Sequence, residues 1–197
     1  VHLILAVGVF PLISGAMVYF TPTLTRSGPP EKWAMNVPFV AVAAGSSAFY
    51  GLNDTLAAIL FLAVFLATGV CGALLYWMRQ RVKKSLGGPH PGLAWYQAAL
   101  FLLLIGLAAI LLAIILPDWW LPLRDFHQHI NLFGFIGVTA IGTLQVFLPT
   151  VGRYPDPEVG RRLLIHLKYA VGGAFLIAIG GAGVPYIAYL GSLLWVI

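Results

Sequence analysis

Residues 98–116 read Ala98-Ala99-Leu100-Phe101-Leu102-Leu103-Leu104-Ile105-Gly106-Leu107-Ala108-Ala109-Ile110-Leu111-Leu112-Ala113-Ile114-Ile115-Leu116, an unbroken apolar run. A membrane-spanning strand needs about 10 residues and alternates in polarity, whereas a spanning helix needs about 20 apolar residues without alternation. The run has the length and monotony of the helix. It extends back to Ala94 without a charge, so a span over 94–116 is expected.

Working outward, similar text recurs at about 2–22, 34–51, 55–78, 126–149, 160–180 and 183–197. The breaks carry turn residues: Ser27-Gly28-Pro29-Pro30, Gly51-Leu52-Asn53-Asp54, Gly87-Gly88-Pro89-His90-Pro91-Gly92, Pro117-Asp118, Pro155-Asp156-Pro157 and Gly180 to Pro185. Hydrophobic residues make up 60% of the chain and charged residues 9%, against about 25% charged in a soluble domain. There is too little polar surface to face water all round. In lipid every backbone N–H and C=O must be paired internally. The expected fold is therefore all-α, a polytopic transmembrane helix bundle of about seven spans. A chain that opens at Val1-His2 and stops at Ile197 within a span is expected to lack a helix at one end or the other.

The net charge of +5 is explained by where the charges lie, and no nucleic-acid role is expected. Threading the spans puts Arg26, Lys32, Arg79, Arg81, Lys83, Lys84, Arg153, Arg161, Arg162 and Lys168 on one side, leaving only Arg124 on the other. Basic loops mark the cytoplasmic face, which suggests a bacterial inner-membrane protein. Trp33, Trp77 and Trp95 are expected in the aromatic belt on that side, and Trp119 with Trp120 in the belt opposite. Cys71 stands alone, which leaves neither an intrachain disulfide nor a cysteine metal cluster.

The chain resembles itself at an offset of 127 residues. His2-Leu3-Ile4-Leu5 matches His129-Ile130-Asn131-Leu132, and Gly15 matches Gly142. Phe20, Pro22, Thr23 and Arg26 match Phe147, Pro149, Thr150 and Arg153, and Pro30-Glu31 matches Pro157-Glu158. His, Pro, Arg and Glu are scarce here, so their joint alignment marks a repeat. Because four spans separate the copies, the repeat is parallel. The organisation read from it is 1–84 as first repeat (spans one to three), 85–93 as a basic, Gly/Pro-rich cytoplasmic loop, and 94–197 as span four plus the second repeat. Pro22 and Pro149 are expected to end their helices. Arg26 with Glu31, and Arg153 with Glu158, are expected to brace the loops. Gly15 and Gly142 are expected at close helix contacts.

Chemistry concentrates in three histidines, His2, His127 and His129, all expected at the outer, periplasmic ends of their helices. Neutral imidazole is the commonest metal ligand, and haem iron takes axial His. His127 and His129 point to opposite faces of a regular helix, which suits two sites rather than one small ion. His127 is expected to share its stripe with Asn131, Gly134 and Gln145, and His129 to share one with Ile136, Ala140, Thr143 and Phe147. The repeat pairs His2 with His129, which suggests one haem b between them. His90 is expected in a solvated loop and His166 at the cytoplasmic interface. No catalytic residue is singled out.

Asp125-Phe126-His127-Gln128-His129-Ile130-Asn131-Leu132-Phe133-Gly134-Phe135-Ile136-Gly137 resembles the His-x-His helix of haem–copper oxidase catalytic subunits. It also looks like the His-rich helices of the NnrS-like membrane haem proteins. The likeness covers about 25 residues of span five and its echo in span one. It implies haem ligation at His127 and His129, with Asn131 beside them. The oxidase copper segments, His-Pro-Glu-Val-Tyr and His-His, are absent from the chain, so oxygen reduction and proton pumping are not implied.

The preferred reading is a haem b-binding membrane protein of redox, electron-transfer or nitric oxide/dioxygen type, surrounded by lipid and other membrane subunits. A transporter or channel is the first alternative, suggested by the parallel repeat and the stripe His127, Asn131, Gln145. A structural subunit without cofactor is the second, suggested by packing glycines such as Gly69, Gly72, Gly172 and Gly173. Copper at the same histidines ranks below haem, because no Cys or Met-rich motif supports it.

Overall fold

Each apolar run folds as a helix because lipid leaves the backbone no other partner than itself. A computed structural model describes residues 2–53, 57–154 and 156–196. Among them are seven helices and no strand. They are α1 (Leu3–Leu24), α2 (Lys32–Asn53), α3 (Ala57–Lys83), α4 (Gly92–Ile115), α5 (Pro117–Val151), α6 (Val159–Gly181) and α7 (Pro185–Val196). The first six are long and apolar enough to cross a membrane. The protein is an all-α membrane-type bundle. The expected seventh span is represented by α7, a helix of 12 residues. Asp54, within the expected break at 51–54, lies outside the described residues.

Two boundaries differ from expectation for physical reasons. Helix α3 continues through the basic run to Lys83, since Arg and Lys are good helix formers. Helix α5 begins at Pro117 rather than near residue 126 and is 35 residues long. Pro117 ends α4 and also opens α5, because its fixed φ and missing N–H suit a first helical turn.

The chain divides into two compact units, Val1–Pro89 and His90–Ile197. In the first unit, α2 approaches α1 closely where Gly45 faces the Ala6 carbonyl. A side chain at Gly45 would collide with that backbone, so only glycine allows the contact. The loop between α1 and α2 is held by α3. Arg81, almost fully buried, donates from Nη1 to Gly28 O (2.7 Å) and Ser27 Oγ (3.2 Å), and from Nη2 to Pro29 O (2.6 Å) and Glu31 Oε2 (2.6 Å). The Trp77 indole N–H donates to the same Glu31 oxygen at 2.6 Å.

Several expectations are corrected here. Glu31 pairs with Arg81 and Lys84, not Arg26, and Glu158 pairs with Arg161, not Arg153. Trp77 and Trp95 are buried inside protein rather than lying in an interfacial belt, and each indole is used: Trp95 Nε1 donates to Leu163 O at 3.0 Å. Trp33 and Trp119 are exposed, as belt residues would be.

In the second unit α5 is the central helix. Helix α4 runs antiparallel along one side, with Trp95 against Gly142, Leu102 against Gly134 and Gly106 against Asn131. Helices α6 and α7 cover another side, and Phe126 meets Phe175 edge-to-face at 5.8 Å. Hydroxyls inside the spans are satisfied locally. Ser14, Thr21, Thr139 and Thr143 each donate to the carbonyl four residues earlier, at 2.6–2.8 Å, which removes them as lone polar groups in lipid.

The repeat is visible in backbone detail. Helix α1 opens with π-helix at Leu3–Val9, and α5 carries π-helix at Ile130–Gly137, starting 127 residues later. The two helices end at Leu24 and Val151, again 127 apart. Both close with the same motif. Ser27 N–H donates to Pro22 O (3.0 Å) and Arg26 N–H to Thr23 O (3.2 Å); Tyr154 N–H donates to Pro149 O (3.1 Å) and Arg153 N–H to Thr150 O (3.4 Å). The residue that turns the chain is left-handed in each, Arg26 at φ 47° and Arg153 at φ 55°. Pro22 and Pro149 sit inside the last turn, so the helices stop two residues after them. Their carbonyls serve the capping motif.

Candidate functional site

His127 and His129 lie in the α-helical segment Trp120–His129, immediately before the π-helical turn. Twenty-two residues separate His129 from Val151, about 33 Å at helical rise. Twenty-two also separate His2 from Leu24. That is close to the thickness of a hydrocarbon core. Each histidine therefore lies about one hydrocarbon thickness along its helix from the residue that ends it near the proline.

His127 faces α4. Its Nδ1 is 2.7 Å from the Gly106 carbonyl oxygen. A carbonyl only accepts, so Nδ1 carries the proton and Nε2 holds the lone pair. The Asn131 amide nitrogen, one turn on, lies 3.2 Å from Nε2 and donates to it. Both ring nitrogens of His127 are thus engaged. Gly106 admits this arrangement, since a methyl there would strike the Asn131 side chain and come within 2.9 Å of Ile130 Cγ2. Asn131 Oδ1 is buried and has no hydrogen-bond partner among the described residues.

His129 faces α6 and α7. Its Nδ1 is 2.7 Å from the Asp125 carbonyl oxygen, so here too Nδ1 carries a proton and donates it. The ring stacks on Phe133 (6.4 Å between centroids, 7° between planes), and Phe133 meets Trp195 edge-on at 5.4 Å. Gly181 closes the other side: a Cβ there would lie 2.5 Å from Nδ1 and 2.6 Å from Cε1. Among the described residues the buried Trp195 Nε1–H has no acceptor. His129 thus has an oriented imidazole, an aromatic wall and a glycine cradle.

His2 is half-buried at the start of α1, directly before the other π-helical segment. It belongs to the first unit, and its pairing with His129 rests on the sequence repeat. Among the described residues no group of three or more His, Cys, Asp or Glu is gathered tightly enough to hold a metal ion. His90 accepts the Gly92 N–H at Nδ1 (3.0 Å), at the start of α4.

The π-helix is what the sequence reading missed. On a regular helix, Thr143 lies about 160° around from His127. The wider π-helical turn advances each residue by less. Thr143 accordingly comes round to α4, where its hydroxyl lies 3.1 Å from Tyr96 Oη, on the same helix as the His127 partner. The stripe expected to join Thr143 to His129 is corrected by that turn. Apolar periodicity carries no signal for it, although a π-helical turn beside histidines is itself a common mark of a functional site. Compared with protein-family models, with curated proteins and with solved structures, the chain matches none.

Proposed function

We propose that this chain is a haem b-binding integral membrane protein of redox or electron-transfer type, or one that responds to nitric oxide or dioxygen, working beside other membrane subunits. The observation that carries the reading is the Asp125 carbonyl 2.7 Å from His129 Nδ1. Metal-ligating histidines characteristically donate their second N–H to a carbonyl or carboxylate, which fixes the tautomer and orients the other nitrogen. His129 has that partner, with Phe133 stacked on its ring and Gly181 against its edge. Bound haem would supply a one-electron ferric/ferrous couple. The chain would hold the proton at Nδ1, present Nε2, and keep water away with Phe133 and Phe126, the levers by which a protein sets a haem potential.

His2 is the corresponding residue of the first unit. His127 and Asn131 support this reading in a different role: they spend their donors on α4 and on each other, and so hold α5 in place. The split of basic residues supports an orientation with Arg26, Arg153 and the loops around them cytoplasmic and the histidine ends periplasmic, in a bacterial inner membrane. A pyridine haemochrome assay on the purified full chain tests the proposal. Protohaem in near-stoichiometric amount is expected, and a colourless preparation that takes up no added haemin overturns it.

A further inference from the structure

The left-handed arginines at the helix ends call for an explanation. A residue with a Cβ costs about 1–2 kcal/mol in the left-handed region, and where a helix ends in a left-handed residue, glycine usually fills that position. Here arginine fills it twice, at repeat-equivalent places. Neither guanidinium has a carboxylate partner among the described residues. Among the described residues the carboxylates at hand are bound elsewhere: Glu31 to Arg81 and Lys84, Glu158 to Arg161, and Asp156 to Arg162. Both arginines are exposed. Each stands two residues beyond the end of a spanning helix, at Leu24 or Val151, which is the depth of lipid headgroups. Arg26 Nη1 lies beside Gly87, in the turn that follows the basic end of α3. Tyr154, next to Arg153, is 81% exposed, an amphipathic ring of the kind found at headgroup depth.

The geometry points to Arg26 and Arg153 as a matched pair of ligands for the phosphates of anionic phospholipid headgroups, one in each repeat. The left-handed turn leaves an exposed guanidinium at each helix end. A planar guanidinium binds phosphate oxygens in pairs. Lys32 and Lys83 of the first unit add attraction without supplying the fixed geometry. This inference is independent of haem binding.

Glycine provides an unusually clean test, because it removes the charge while suiting the backbone. The full chain is reconstituted in vesicles of phosphatidylcholine with a minor fraction of spin-labelled phosphatidylglycerol. Arg26→Gly and Arg153→Gly should each lower the preference for the anionic lipid by about threefold to fivefold. Arg26→Lys and Arg153→Lys should keep more of it than glycine does. In pure phosphatidylcholine the glycine variants should melt no lower than the parent chain. An unchanged lipid preference in the double glycine variant overturns the assignment. So does a fall in melting temperature that is the same in both lipids, which would assign the arginines to the helix dipole alone. Inorganic phosphate that stabilises the parent chain but not the double variant in pure phosphatidylcholine would transfer the site to a free anion.

Discussion

Glu31 Oε2 lies 2.6 Å from Arg81 Nη2 and 2.6 Å from the Trp77 indole nitrogen, so one carboxylate oxygen joins the loop after α1 to the end of α3. Arg81 also stands over the Trp77 ring, 5.2 Å from its centroid. Arg81→Ala leaves Gly28 O and Pro29 O without their donor and should destabilise the first unit by about 3 kcal/mol. Lys84 is 3.9 Å from Glu31 and 66% exposed, so Lys84→Ala should change stability by less than about 0.5 kcal/mol. Thermal unfolding in a single detergent compares the two.

The same carboxyl sets a pH dependence. The Trp77 N–H first, then hydrogen bonds to Glu31's own backbone and to Arg81 and the Arg81 charge, hold Glu31 down at about 2 against an ordinary value of 4.5. A depressed carboxyl pKa contributes stability that is present above the unfolded value and is lost as pH falls towards the folded one. Stability should therefore drop between about pH 4.5 and about pH 2. Glu31→Gln should flatten that part of the profile, measured by melting temperature across the range.

The helical class and the repeat were legible because they rest on gross signals: apolar run length, and the spacing of rare residues such as His2/His129 and Pro22/Pro149. The role of Arg81 was hidden. It sits in a run of six residues with four charges besides Gln80 and Val82 and reads as a solvated loop, yet α3 continues under it and turns it inward beside Trp77. The faces of α5 beyond Ile130 were hidden for another reason. A π-helical segment leaves the composition unchanged while rotating everything after it, so Gly142 and Thr143 face α4. At the candidate site, Asn131 was legible as a neighbour of His127, one turn away. The Gly106 carbonyl and the Gly181 cradle belong to other helices and leave no local trace.

Gly181 gives a positional prediction. Gly181→Ala places a methyl 2.5 Å from His129 Nδ1, so the ring must move or tilt, and any haem held there should be retained poorly. Gly172 has open space around it, and Gly172→Ala should leave haem content and melting temperature within error of the parent chain. Haem-to-protein ratio after gel filtration distinguishes the pair.

Gly142 tests the packing of α4 on α5. A Cβ there would lie 2.5 Å from Trp95 Cβ and 2.6 Å from its Cγ, atoms near the α4 backbone with little room to yield. Gly142→Ala should destabilise the second unit by about 1–3 kcal/mol. Gly15→Ala meets Pro38 at 3.7 Å, an ordinary van der Waals contact, and should be tolerated. Denaturation curves of the two variants in matched detergent decide it.

His129 is the proposed ligand and His127 the proposed brace. The most direct measurement is the dithionite-reduced minus oxidised difference spectrum of membranes containing the full chain and its His129→Ala, His127→Ala and His166→Ala variants at matched expression. The haem b bands should vanish in His129→Ala and persist in the other two, with His127→Ala showing a lower melting temperature. Bands that survive in His129→Ala, or that disappear only in His127→Ala, would contradict the assignment.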